Sequence, residues 1–453
     1  MKPITLETAA RVTGGTLMGG DPAARITGVV RDNREVLPGS LFVCIPGARV
    51  DGHDFASAAF RAGASACLAE KPLPGAEGPV ILVENTRQAL IDLGRYYRSL
   101  LSIPVIGVTG SVGKTTAKEM TAAALSARFR VFRTPANLNN DIGVPLSLLS
   151  IGEEDEVAVI EMGISDFGEM SVLADMVRPD ICIMTTIGYC HLEKLGDLDG
   201  VLRAKSEVYR YMPENGVAVV NGDDEKLAAF DPGIRKITFG LGDSCEWRAD
   251  NVRSDGVEGV LCDLVHEGTR FSAYIPAFGS HMVLGALPAA AVASLLGETP
   301  DEIVRGLLTY APVGSRASIR DTGFIRIIDD CYIANPNSVA ASLASLSEVS
   351  GRRVAILGDM NELGASSRNL HRSIGVLAGR YGIDSLICLG AEAEFIYKGF
   401  ISGGFETEAW HFPLKDALFS VLPSLIRKGD TVLVKASHSM GFEEVVAELE
   451  KLK

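Results

Sequence analysis

The stretch PVIGVTGSVGKTTAKEM, residues 104–120, constrains this chain more than any other. An apolar strand enters a short glycine turn and passes straight into a helix, which aims backbone N–H groups and a helix N-terminus at a phosphate. Gly110 and Gly113 let the backbone approach the anion, with Ser111 between them. Lys114 is placed for the β- and γ-phosphates of a nucleotide and Thr115 for Mg²⁺, and Thr116 follows on the same turn. The spacing departs from the usual one, because the first glycine falls at 107 and Val occupies 108. The competing reading is a plain strand-to-helix turn with a solvated lysine, but Gly-Lys-Thr-Thr at such a junction has few structural reasons to exist.

The rest of the chain supplies the α/β setting that such a loop requires. At 453 residues and 47% hydrophobic residues the chain exceeds a single core. Residues 1–100 alternate short apolar runs (ITGVV, SLFVCI, VILVE) with helical patterns, a small α/β domain. Over 101–312, PVIGVTG, VAVIEMG, DICIMTTIG and GVAVVNG alternate with helices, as in a parallel sheet covered on both faces, with a local antiparallel excursion after Cys245. Over 313–453, FIRIIDD, RRVAILGDM, DSLICLG and DTVLVKAS predict a second, Rossmann-like domain.

A net charge of −14 argues against a sequence-independent grip on nucleic acid, which needs clustered positive charge. The eight cysteines form no Cys-x-x-Cys pair and sit mostly in apolar runs, which suits reduced thiols in the cytoplasm. The opening MKPITLETAARVTGG shows no apolar leader. The longest uncharged stretch, FGSHMVLGALPAAAVASLLG, carries His281 and Pro288, so a buried helix capped by Ser280 is expected there rather than a membrane span.

Two more strand ends carry chemistry. Glu161 closes VAVIE at the carboxyl edge of the sheet, where it would complete a Mg²⁺ shell begun by Thr115; a solvated strand-end acid is the bland reading. His191 follows the next strand, and a lone histidine is more often structural than a ligand. Lys205 lies on a helix between Ala and Ser, and taken alone it reads as a surface lysine.

In order, TGSVGKTT, TPANLNNDIGVPLSLL, EMG, IGYCHLEKLGDLDGVLRAKSEV, IIDDCYIANPNS, VAILGDMNELGASSRNLH and VLVKASHSMGFEEVV resemble the Mur ligases of peptidoglycan precursor synthesis, over essentially the whole chain. The resemblance implies a three-domain fold: a UDP-substrate-binding domain, a central ATP-binding domain and a C-terminal domain that takes the incoming dipeptide. It implies a ligase that uses ATP to activate a UDP-N-acetylmuramoyl-tripeptide as an acyl phosphate and joins it to D-alanyl-D-alanine, as a cytoplasmic monomer. It implies two Mg²⁺ ions held by Thr115, Glu161, His191 and Lys205, with Lys205 carbamylated by CO₂, and Lys114, Glu161, His191 and Lys205 as the catalytic group. Asp32, Arg34, Asp51, Gly52 and His53 would lie near the UDP end, and Asn139 and Asn140 would face the acyl end. His281, Arg316, Asp330 and Tyr332 would reach the nucleotide. Relatives carry amides where this chain has Met282 and Gly285, and it also departs at Cys331, Ile333 and His438, which alters the expected adenine pocket. Two other readings stay open: a ligase of this type with a different acceptor or carboxylate, and a non-catalytic binding protein.

Overall fold

A computed structural model describes residues 1–47, 49–405 and 407–453. Three large sheets, and a two-stranded antiparallel pair of Ile4–Thr5 with Arg25–Ile26, organise the chain. The first has five strands in the order Thr16–Met18, Val80–Leu82, Ala66–Ala69, Ser40–Val43, Gly28–Val30, parallel except for the first pair. The second has nine, in the order Thr269–Ile275, Val260–His266, Trp247–Ser254, Arg235–Gly240, Val217–Asn221, Ile181–Met184, Val105–Thr109, Val157–Glu161, Val131–Arg133. Strands Val105–Thr109, Val157–Glu161 and Val217–Asn221 are buried along their whole length, which is why they read as unbroken apolar runs. The expected antiparallel excursion is a continuation of this sheet: Val260–His266 and Thr269–Ile275 pair antiparallel onto its edge. The third sheet runs Ser318–Asp321, Arg326–Asp329, Thr431–Lys435, Arg353–Gly358, Ser385–Leu389, Glu408–Phe412, parallel beyond its first pair.

Strand Val105–Thr109 lies between Val157–Glu161 and Ile181–Met184, so the connections from it leave toward both sides and open a crevice at its carboxyl end. Helix Val283–Leu295 packs on helix Lys114–Leu125 and is apolar nearly all round because it is buried nearly all round. Ser280 does not cap it. A 3-10 turn, Ser280–Met282, leads into the helix, and Ser280 Oγ instead donates to Glu348 Oε2 at 2.6 Å, across to the C-terminal unit. Among the described residues no helix is long and apolar enough to cross a membrane.

The cores are not divided as the sheets are. One continuous apolar cluster joins the first sheet, helix Thr86–Ser99 and the helices Gly143–Ser150 and Glu169–Val177 of the central unit. Tyr97 locks it, donating its hydroxyl to Ile151 O at 2.6 Å. Gly94 packs so closely that a Cβ there would meet Pro145 at 2.8 Å. The third sheet has apolar clusters on its two faces, one of which takes in Val257 and Phe278 from the central unit.

Candidate active site at the junction of the three units

The glycine turn is built by its own backbone demands. Gly110 has φ 140°, and a Cβ on it would lie 2.0 Å from Thr185 Oγ1. Gly113, at φ 82°, is the left-handed residue from which helix Lys114–Leu125 starts. Ser111 N–H donates to Thr186 O at 2.8 Å, and Ser111 Oγ accepts Gly188 N–H at 2.9 Å, which ties the turn to the neighbouring strand end. Lys114 curls back to donate to Gly110 O at 2.9 Å, so its ammonium lies over the turn.

Glu161 is buried, and each of its oxygens has its own donor. Thr115 Oγ1 donates to Oε2 at 2.9 Å and Asn139 Nδ2 donates to Oε1 at 2.8 Å. Sequence reasoning missed Lys118, one helical turn after Lys114. Its buried ammonium lies 2.9 Å from Glu119 Oε1 and 3.8 Å from Glu161 Oε2, and it donates to Thr134 O at 2.7 Å. Asn140 is spent locally, its Oδ1 accepting Gly143 N–H at 2.8 Å at the start of helix Gly143–Ser150.

His191 adopts φ 52° immediately before the short helix Leu192–Leu195. Its Nδ1 lies 2.5 Å from Glu362 Oε2 without hydrogen-bond alignment. Burial holds its pKa below the usual imidazole value; Lys205 and Lys114 act in the same direction and Glu362 opposes them. Glu362 belongs to the GDMNELG segment of the C-terminal unit and itself has φ 62°. Its sequence position was visible but its partner was not. Lys205 is not a surface lysine. It is 1% exposed, and burial, reinforced by the charge of Lys114, lowers its pKa to about 8. Among the described residues no cluster of three or more His, Cys, Asp or Glu could hold a metal. Thr115 and Glu161 do suit Mg²⁺, which keeps several waters and needs only one or two protein oxygens beside substrate phosphates. Lys205 joins them only if it becomes an acid.

A cavity of about 700 Å³ collects these groups: Ser111, Gly113, Lys114, Thr115, Asn139, Asn140, Glu161 and His191 line it. Asn85 and Arg87 wall it from the N-terminal unit, Arg316 and Tyr332 from the C-terminal one. The Arg316 guanidinium stacks 4.0 Å above the Tyr332 ring. On the other side of the glycine turn a second cavity, about 260 Å³, is lined by Thr116, His281, Met282, Gly285, Arg316 and Asp330 among others. His281 Nδ1 lies 2.9 Å from Ser345 Oγ. Asp330 Oδ2 receives Lys435 Nζ at 2.6 Å and Ser342 Oγ at 2.8 Å. Gly285 packs tightly, since a Cβ there would meet Met120 Sδ at 2.8 Å and Thr116 Cγ2 at 3.0 Å, and these side chains would have to shift.

The N-terminal candidates line neither cavity. Asp32 grips the exposed Arg34 through its side chain, which lowers the Asp32 pKa. His53 is buried with both nitrogens used: Nε2 accepts Glu70 N–H at 2.9 Å, leaving Nδ1–H for Asp51 Oδ1 at 2.5 Å. Gly52 makes the close approach beneath it, a Cβ there lying 2.7 Å from Ile45 N. A larger cleft, about 880 Å³, contains none of the glycine-turn residues, and three of its four arginines, Arg95, Arg98 and Arg178, are paired with Asp92, Asp175 or Asp180.

Fold and site together define a protein of three α/β units that wall one cleft over a glycine turn at a helix N-terminus. The chain belongs to the Mur ligase family: models described as the Mur ligase family catalytic domain, the Mur ligase middle domain and the Mur ligase glutamate ligase domain match residues 25–98, 108–293 and 316–438. It is 36% identical over 466 aligned residues to the UDP-N-acetylmuramoyl-tripeptide--D-alanyl-D-alanine ligase of Escherichia coli, covering 100% of this chain and 99% of that one. To the ligase of the same name from Bacillus subtilis it is 35% identical, covering 98% of both. A crystal structure of MurF from Acinetobacter baumannii superposes with a TM-score of 0.91 at 30% identity, over 100% of this chain and 99% of that chain. The Thermotoga maritima MurF ligase in complex with ADP superposes with a TM-score of 0.82 at 29% identity, over 94% and 97%.

Proposed function

We propose that this chain is an ATP-dependent amide ligase that joins D-alanyl-D-alanine to the terminal carboxylate of a UDP-N-acetylmuramoyl-tripeptide. The observation that carries the reading is its likeness, over the full length of both chains, to the Escherichia coli ligase named for that reaction. The cleft supports it, because the glycine turn, Lys114, Thr115, Glu161 and His191 line one cavity walled by all three units.

A carboxylate acylates poorly because oxide is a poor leaving group. Its oxygen attacks the γ-phosphorus, the bond to the β-γ bridging oxygen breaks, and ADP departs. The dipeptide amine then attacks the acyl carbon, loses a proton and expels phosphate. Negative charge gathers on phosphoryl oxygens in both steps, so Lys114 and the N–H groups of Gly113, Lys114 and Thr115 at the helix N-terminus stabilise it by position and charge. Mg²⁺, held by Thr115 and Glu161, would supply further neutralisation of that charge. Asn139 and Thr115 orient the Glu161 carboxylate. Arg316 reaches the phosphates from the C-terminal unit, and His281, Asp330 and Tyr332 face the nucleoside.

Lys205 is read as the carbamylated lysine. Burial without a paired carboxylate favours the neutral amine, which would attack CO₂ and lose one proton, and the resulting carbamate anion with His191 would hold a second Mg²⁺. Residues 1–100, with Asp32, Arg34, Asp51, Gly52 and His53, take the UDP end; 101–312 take ATP; 313–453 take the dipeptide. The enzyme acts as a cytoplasmic monomer.

The test is phosphate release with ATP, Mg²⁺, bicarbonate and UDP-muramoyl tripeptide, with and without D-alanyl-D-alanine. Release should need both substrates, yield the pentapeptide by mass spectrometry, and fall roughly 100-fold or more in Lys114→Ala. Release without the dipeptide, or none with it, would sink the reading. A ¹³C-bicarbonate NMR signal that Lys205→Arg removes would establish the carbamate.

A further inference from the structure

The smaller cavity, about 260 Å³, contains a buried amide that the phosphate chemistry does not use. Asn221 ends strand Val217–Asn221 at the carboxyl edge of the central sheet and is only 7% exposed. Its Oδ1 accepts Asp223 N–H at 3.0 Å. A backbone N–H can only donate, so that contact fixes which end of the amide is oxygen. The nitrogen end has no protein acceptor among the described residues, and the side chain lines the cavity. Much of the remaining wall is apolar, with Met282, Leu284, Gly285 and Ile333. Neither Met282 nor Gly285 offers a side-chain hydrogen bond, and Met120 and Thr116 fill the space beside Gly285.

A largely apolar slot beside the glycine turn, with an oriented amide donor at the strand end, suits a nucleotide base. We propose that Asn221 reads the base, its Nδ2–H donating to an acceptor nitrogen of a purine ring. The proposal rests on the reading of residues 110–115 as a nucleotide triphosphate site. Replacing that ring nitrogen by C–H leaves the donor buried and unpaired, which a site built around it should reject.

The experiment is calorimetric titration of the full chain with ATP, its 1-deaza, 3-deaza and 7-deaza analogues, and inorganic tripolyphosphate, repeated with Asn221→Asp and Asn221→Leu. Aspartate keeps an acceptor for Asp223 N–H while removing the donor, and leucine removes both without adding charge. Wild type should bind one deaza analogue roughly tenfold more weakly than ATP. That gap should close in both variants, while tripolyphosphate binds all three proteins alike. Equal binding of ATP and every analogue by wild type would overturn the assignment, and so would a gap that persists in the variants. If wild type binds neither ATP nor tripolyphosphate, the triphosphate reading falls and this proposal with it. Binding of tripolyphosphate with no gap among the bases would remove this proposal alone.

Discussion

At Glu161 a carboxylate is held by two neutral donors, Thr115 and Asn139, and by the more distant Lys118 ammonium. Glu161→Gln keeps the shape and removes the charge, so ATP-dependent phosphate release should drop about 100-fold or more while the fold, read by circular dichroism, is kept. Glu298 is the opposite case. It is buried, neither oxygen has a partner among the described residues, and burial, with Glu302 beside it, raises its pKa from 4.5 to about 7. A carboxyl whose folded pKa exceeds its unfolded one stabilises the fold only when protonated: the contribution is full below about pH 4.5 and is lost as pH rises through about 7. Glu298→Gln should therefore raise the melting temperature by about 2 to 4 °C at pH 8 and leave it nearly unchanged at pH 5, by calorimetry.

Between elements, the decisive contact is helix Val283–Leu295 against helix Lys114–Leu125, because the latter begins at the glycine turn that lines the cleft. Gly285 permits the close approach, with Met120 and Thr116 occupying the space a side chain would need. Gly285→Ala should cost about 1 to 3 kcal/mol by overpacking, read by chemical denaturation, and Met120→Ala in the same chain should recover part of it. The GDMNELGASSRNLH segment is also an element-scale device. His371 is buried on helix Ser367–Arg380, its Nε2 accepting Met360 N–H at 2.9 Å and its Nδ1–H donating to Ser367 O at 2.8 Å. That lock sets the loop from which Glu362 meets His191.

Across the whole molecule, the N-terminal and central units share one apolar core, whereas the C-terminal unit has its own and meets the centre largely through polar contacts. Asn337 Oδ1 accepts Tyr189 N–H at 3.2 Å, Ser280 donates to Glu348, and Glu362 faces His191. Such an interface suits hinge motion, and residues 311–315 are the connection that would bend. ATP with the tripeptide substrate should reduce the radius of gyration in small-angle scattering. Asn337→Ala with Glu362→Ala should shift the ligand-free protein toward larger values, and no change in either comparison would count against the hinge.

The sequence by itself determined what depends on neighbours along the chain. The turn at Gly110–Thr115 was legible because strand, glycines and helix are contiguous, and Glu161 was legible because a buried parallel strand ends in a charge. Folding alone decided the rest. Lys205 looked like a surface residue because nothing within a turn of it reveals that it is 1% exposed. Ser280 looked like a helix cap because its partner, Glu348, is 68 residues away. Glu362 lay in a legible segment but its partner His191 lies across an interface, and nothing local marked Asn221, whose amide orientation is set by the turn after its strand. Burial and long-range pairing are properties of the packed chain, and the tertiary structure was needed to show where a charge loses water or a donor loses its partner.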